Sequence, residues 1–234
     1  MSGNSRSVST NQQGVHDKIP ELVKRYLQSA SEKPIAQHTQ NAFDAVKAWL
    51  PADTPIVLDS CCGVGESTQK LAKQHPNAVV IGIDKSALRV NKHEFHTDAD
   101  VNTNSNASVS ANFVDNYAVV RADVIDFWRL VKRDNWNVVL HTLFYPNPYP
   151  KSAHVQRRWH ASASFRDIID IGGELQVRSN WQLYIEEFAL ALRCANFDPT
   201  TSQIEKDEPI SPFERKYWNS GQDSWQLVCR LSKA

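Results

Sequence analysis

The sequence predicts an α/β fold built on a mainly parallel, doubly wound sheet. Short apolar runs of strand length alternate with stretches of helical periodicity. A glycine-containing turn joins the first such run to the helix after it, and no repeat or linker suggests a second domain. Sheets of this kind bind ligands beyond the carboxyl ends of their strands, so the residues at those ends are the candidates for function.

With 234 residues and a hydrophobic fraction of 41%, the chain can bury one substantial core. Lys plus Arg and Asp plus Glu both number 26, so no whole-molecule field attracts nucleic acid, and any polyanion site must be local. The polar start MSGNSRSVSTNQQG lacks the apolar core of a signal peptide, and no later run has the length of a membrane span. A soluble, cytoplasmic protein without membrane contact is expected. Cys61, Cys62, Cys194 and Cys229 fall in none of the paired spacings that hold zinc. No metal is expected, and the four thiols are expected to be small buried side chains.

Along the chain, Ile19, Leu22, Val23, Tyr26 and Leu27 recur at helical spacing, and a second helical stretch runs from about Ile35 to Leu50. Residues 1–50 therefore read as a polar tail and helical cover, and 51–234 as the sheet domain. After Pro51 to Pro55, Ile56 to Asp59 reads as a buried strand leading into a turn and a helix near Glu66. The run AVVIGID ends at Asp84 and precedes a helical segment from about Ser86 to Phe95. Residues 96–116, rich in Asn, Ser and Ala, hold too little apolar content to pack and are expected to form a mobile surface loop. Strand signals return at YAVVR, WNVVLHTLFY, GELQVRS and SWQLVCRL.

Two stretches carry chemistry. In the first, VLDSCCGVGEST, Gly63 and Gly65 let a ligand approach the backbone at a helix start, and Asp84 at the next strand end suits a ribose hydroxyl pair. The phosphate-binding spacing G-x-G-x-x-G is absent, which disfavours a dinucleotide and leaves S-adenosylmethionine. Asp59 could reach its amino acid part, directly or through water, and Asp123 could accept from the adenine amino group. The second stretch is YPNPYPKSAHVQRR. Its prolines are expected to hold Tyr145, Asn147 and Tyr149 extended, as a clamp for a planar base or as a rigid connection in which Asn147 satisfies local backbone. Lys151, Arg157, Arg158 and Arg166 follow without an intervening acid. On a helix His154, Arg157 and Arg158 share a face that suits phosphates, the alternative being a solvated basic face.

Together these residues resemble the bacterial tRNA (guanine-N7)-methyltransferases of the TrmB type. The family's phenylalanine, Pro-Asp-Pro-Trp, Lys, His and Arg pair is similar to Tyr145-Pro-Asn-Pro-Tyr, Lys151, His154 and Arg157-Arg158. Gly172-Gly173, Ser179-Asn180-Trp181 and Tyr184 resemble its Gly-Gly strand, Thr-Asp-Trp and Tyr. Ser211, Phe213, Glu214 and Trp225 resemble its C-terminal Thr-x-Phe-Glu segment and later Trp. The likeness covers roughly Ile56 to Leu231. Two family carboxylates are here Asn147 and Asn180, a turn glycine is Cys61, and an Arg-Gly pair is Lys216-Tyr217.

The resemblance implies a Rossmann-like class I methyltransferase fold, with a mainly parallel seven-stranded sheet and an antiparallel C-terminal strand. It implies S-adenosylmethionine as cofactor, tRNA as partner and guanine 46 as target, with monomer or homodimer left open. Asn147, Asn180 and Glu214 become the catalytic candidates. Asp59, Gly63, Gly65, Asp84, Asp123 and Tyr145 are assigned to the cofactor, and Tyr149, Lys151, His154, Arg157, Arg158 and Ser211 to the substrate. Two alternatives follow from the asparagines. An amide offers both donor and acceptor and suits another base or RNA, and loss of both carboxylates suits a catalytically silent RNA-binding protein.

Overall fold

A computed structural model of the chain describes residues 4–29, 33–93 and 111–231. They form two compact units, one of Lys33–Thr142 and one of Met1–Glu32 with Leu143–Ala234. The N-terminal helices are divided between them, α1 (Ile19–Leu27) in the second and α2 (Gln37–Trp49) in the first.

In the first unit β1 (Ile56–Ser60) leads through the glycine turn to α3 (Glu66–Gln74), then to β2 (Val79–Asp84) and α4 (Ala87–Val90). β3 (Ala111–Val114), β4 (Tyr117–Arg121), α5 (Val124–Arg133) and β5 (Val138–Phe144) follow. β1, β2 and β4 pair in parallel, Leu58 opposite Ile81 and Ile81 opposite Ala118, and the order is β3-β4-β2-β1-β5. Every residue of β1 and β2 is buried, the pattern of parallel strands covered on both faces. α2 packs on α5 through Phe43, which stacks on Trp136 at 4.5 Å and meets Phe127 edge-on at 5.3 Å.

The second unit holds α6 (Phe165–Ile171), β6 (Gly173–Ser179), α7 (Gln182–Cys194), β7 (Thr200–Gln203), α8 (Pro212–Asn219) and β8 (Trp225–Leu231). Its strands run in the order β6-β8-β7, and both pairings are antiparallel. The apolar face of α1, Ile19, Leu22 and Val23, is buried, and α1 packs against α6 and α7. This is the fold class expected from the sequence, a Rossmann-like sheet with antiparallel C-terminal strands. Among the described residues no helix is long and apolar enough to cross a membrane.

Among the described residues there are eight strands, not seven. β3 lies inside the stretch expected to be a loop: residues 111–116 form this strand and its turn, paired antiparallel with β4, while 96–110 lie outside the described residues. β7 carried no apolar signal because TTSQ is exposed throughout and held by pairing with β8. Of the four thiols only Cys62 and Cys229 are buried. Cys61 is partly exposed, and Cys194, on the last turn of α7, is exposed.

Candidate functional site

In the first unit the turn after β1 is built from left-handed residues: Cys61, Gly63 and Gly65 have φ of 65°, 64° and 81°. At Gly65 a Cβ would lie 2.5 Å from His93 Nδ1, so close packing and backbone sign both exclude a side chain. At Gly63 a Cβ would meet nothing within 4 Å, so only the backbone sign restricts it. Asp84, buried at the end of β2, clamps the turn: Oδ2 accepts from Gly63 N at 3.1 Å, while Oδ1 accepts from Ser86 N at 2.8 Å and Arg89 Nη2 at 2.9 Å. Asp123 caps α5, its Oδ1 accepting from Ile125 N at 3.1 Å and Asp126 N at 3.2 Å.

Asp59 does not face a ligand. It is buried and accepts from Ser67 Oγ at 2.6 Å, Thr68 Oγ1 at 2.7 Å and Thr142 Oγ1 at 3.1 Å. Burial raises its carboxyl pKa against these three donors. Its role is to fasten the start of α3 under the turn. Burial and the charges of Asp84 and Asp59 push the Cys61 thiol up to about 12, so it stays protonated.

In the second unit the proline loop is not extended throughout. Tyr145 and Tyr149 have φ of 53° and 43°, so two residues that precede a proline escape the disfavoured right-handed region to positive φ. Asn147 is exposed, and its Oδ1 accepts from Tyr149 N at 3.3 Å. Lys151 and Arg157 are exposed too, and Arg157 lies over the Tyr149 ring at 5.9 Å while His154 meets that ring edge-on at 6.5 Å. The segment Ser152–Arg157 is a 3-10 helix. Three residues per turn place His154 and Arg157 on one face and Val155 and Arg158 on another, so the shared face expected at α-helical spacing divides.

Arg158 is therefore turned inward. It is fully buried, pairs with Glu187, donates to the Tyr149 carbonyl through Nε at 3.3 Å and Nη2 at 3.1 Å, and lies over Trp181 at 5.0 Å. A guanidinium so committed is not available to a phosphate. Burial alone would raise the Glu187 carboxyl, but His160 and Arg158 outweigh it and hold the pKa at about 2. Burial keeps His160 low despite Glu187.

Tyr145, Glu214 and Ser211 belong to a second internal network. Tyr145 Oη donates to Glu214 Oε1 at 2.6 Å and lies 2.8 Å from Ser224 Oγ, and burial followed by the Glu214 charge raises its phenol pKa. Glu214, fully buried, is also bound by Arg178 Nη1 at 3.1 Å and Ile210 N at 2.5 Å. Ser211 is buried and caps α8, accepting from Glu214 N at 3.2 Å. Neither Glu214 nor Ser211 presents a group to a ligand. Asn180 Nδ2 donates to Gln222 Oε1 at 2.8 Å. Sequence reasoning missed Glu187, Arg178 and Gln12, whose signal is only their pairing with partners distant in the chain.

A family model described as "Putative methyltransferase" matches residues 53–227. The chain belongs to this methyltransferase family. It is similar to a tRNA (guanine-N(7)-)-methyltransferase of Psychromonas ingrahamii, 26% identical over 77% of this chain and 72% of that one. A protein of the same name from Mycolicibacterium gilvum is 24% identical over 90% of this chain and 78% of its own. Among solved structures, an antibiotic-related methyltransferase superposes with a TM-score of 0.54 at 12% identity, covering 88% of this chain and 98% of that one. A 16S rRNA (adenine(1408)-N(1))-methyltransferase of Catenulisporales acidiphilia gives 0.52 at 13%, covering 86% and 95%. These two likenesses show the methyltransferase fold alone.

Proposed function

We propose that this methyltransferase uses S-adenosylmethionine to form 7-methylguanine in tRNA, at guanine 46 of the variable loop, in the cytoplasm. The observation that carries the substrate is exposed Asn147 and Arg157 with half-buried His154 gathered around Tyr149, and exposed Lys151 next to them in the chain, on one proline-fixed loop. The two relatives of that name, similar over 77% and 90% of this chain, support the same reading.

The turn fits the cofactor. Gly63 leaves its Cβ position open to an approaching ligand. Asp84 Oδ2 takes one backbone donor there and keeps a lone pair for a ribose hydroxyl, and Arg89, partly exposed, can yield Oδ1. Asp123 spends Oδ1 on its cap, which leaves the other oxygen for the adenine amino group. When bound, S-adenosylmethionine supplies a methyl group on a sulfonium. Nitrogen 7 of guanine already carries a lone pair, so the protein needs no base and acts by positioning. Because Asn147 Oδ1 accepts from the Tyr149 N–H, the amide keeps its two Nδ2 hydrogens as donors that suit guanine O6. Arg157 and Lys151 are placed for phosphates.

Single-turnover methyl transfer to a tRNA transcript tests this. Transfer to the natural transcript is expected, with none when 7-deazaguanine replaces the target. Transfer that persists on the deaza substrate would move the reading to another base, and no transfer to any tRNA would favour a silent RNA-binding protein. Calorimetry with Asp84→Ala tests the cofactor half: losing a hydrogen bond to a charged group should weaken S-adenosylmethionine binding by about 1.5 to 3 kcal/mol.

A further inference from the structure

The segment before α1 was expected to be a polar tail, and it lies outside the residues 53–227 that match the family. In the structure it is tied down at Ser5 and again from Thr10 to His16. Thr10 Oγ1 donates to the Pro150 carbonyl at 2.6 Å, and Asn11 Oδ1 accepts from Ser152 N at 2.9 Å. Gln12 Oε1 accepts from Arg158 Nη2 at 3.0 Å while its Nε2 donates to Glu187, and His16 N donates to Glu187 at 3.0 Å. At the other end Ser5 N donates to Ser220 Oγ at 3.0 Å, and the Ser5 carbonyl accepts from Gln222 Nε2 at 2.9 Å. Gln222 also receives the Asn180 amide. The segment thus joins the proline loop to Asn180, the two places where asparagine stands for a family carboxylate.

A tyrosine held at positive φ persists only where its surroundings over-determine it. Tyr149 at φ 43° is held through its carbonyl by two donors of Arg158, and Arg158 is fixed by Glu187 and Gln12. Resting on the methyltransferase reading above, we infer that residues 5–16 are a strap that sets the proline loop for RNA. Gln12 is its positioning residue: it touches no substrate and acts through Arg158 on Tyr149 and thereby on the Asn147 amide.

The test uses the full chain with Gln12→Ala, the milder Thr10→Val and Asn11→Ala, and Gln13→Ala, at an exposed neighbour, as control. Hydrogen exchange is followed in peptides covering 147–158 and 56–74. One lost hydrogen bond to a charged group should speed exchange in the first by about tenfold and leave the second unchanged. Single-turnover methylation at saturating tRNA should fall by about tenfold in Gln12→Ala, with S-adenosylmethionine affinity within about twofold of wild type. Asn11→Ala and Thr10→Val should shift the loop in the same direction by less, and Gln13→Ala should match wild type. Unchanged loop exchange in folded Gln12→Ala would overturn the strap, as would faster exchange spread equally over both peptides or a loss of rate matched by a loss of cofactor affinity. If the wild type methylates no tRNA while the loop alone loosens, the strap stands and the enzymatic reading falls.

Discussion

Two pairs of buried carboxylates, Asp59 with Asp84 and Glu187 with Glu214, are balanced in different ways. In Lys33–Thr142, Asp59 is held by three hydroxyls and Asp84 by two backbone N–H groups and two nitrogens of the half-exposed Arg89. In the other unit Glu187 and Glu214 are each held by a buried or mostly buried arginine, Arg158 and Arg178. Neutral donors leave a carboxylate able to trade one partner for a ligand, whereas a full counter-charge in low dielectric binds the pair to itself. Of these four, Asp84 is the one placed to trade a partner in the proposed cofactor turn, and the unit proposed to take the substrate uses part of its charge as framework.

Replacing Glu187 tests this contrast most severely. Glu187→Ala or Arg158→Ala leaves the partner charge buried and unpaired, and should cost about 3 to 5 kcal/mol of unfolding free energy in a denaturant titration. In tRNA binding, Arg158→Ala measured under folding conditions should leave the slope of log affinity against log salt unchanged, whereas Arg157→Ala should reduce it by about 0.7 to 0.9. A stable Arg158→Ala protein with a reduced slope would make Arg158 a phosphate ligand and remove the distinction.

The same contrast decides what the sequence discloses. Two of the three partners of Asp59 are 8 and 9 residues away and only Thr142 is distant, at 83, while those of Asp84 are 2, 5 and 21 away, within one strand-turn-helix unit and its neighbour. Gly63, Gly65 and Asp84 could be placed by reading along the chain. Glu187 lies 29 residues from Arg158, Glu214 lies 36 from Arg178, and Gln12 lies 146 from Arg158. No local pattern announces such pairs, so Arg158 and Glu214 looked like ligand-facing residues. β7 escaped for a related reason, since a neighbouring strand, not its own apolar content, holds it.

A second, smaller effect is the pH dependence carried by single buried groups. His141, fully buried, bonds Ser60 Oγ through Nε2 at 3.0 Å, and burial lowers its pKa from 6.5 to about 3. As pH falls through 6.5 the unfolded chain binds this proton first, so the stability it supports is complete above 6.5 and lost toward 3. At about 1.4 kcal/mol per pH unit, roughly 2 kcal/mol should be gone at about pH 5, and His141→Gln should flatten that part of the profile. Glu187 acts lower: its pKa falls from 4.5 to about 2, so its contribution is complete above 4.5 and fades below it. Glu187→Gln should flatten only that lower limb, and a single shared limb in equilibrium unfolding would contradict the assignment.

The smallest effect concerns backbone strain. Cys61 at φ 65° and Tyr145 at φ 53° occupy the same region, which costs a residue with a Cβ about 1 to 2 kcal/mol. Their side chains differ in what they return. Cys61 is partly exposed with a protonated thiol, while Tyr145 is anchored by Glu214 and Ser224. Cys61→Gly relieves the strain, and the entropy glycine loses on folding offsets about 0.5 to 1 kcal/mol of the gain. A net stabilisation of about 0.5 to 1 kcal/mol by thermal unfolding is therefore expected, with S-adenosylmethionine binding intact. Tyr145→Gly removes comparable strain yet strips Glu214 of its phenol donor and should destabilise. If Cys61→Gly also destabilised, the thiol would be a structural anchor of the turn, and the unit Lys33–Thr142 would hold its strained residue as firmly as the other unit holds Tyr145.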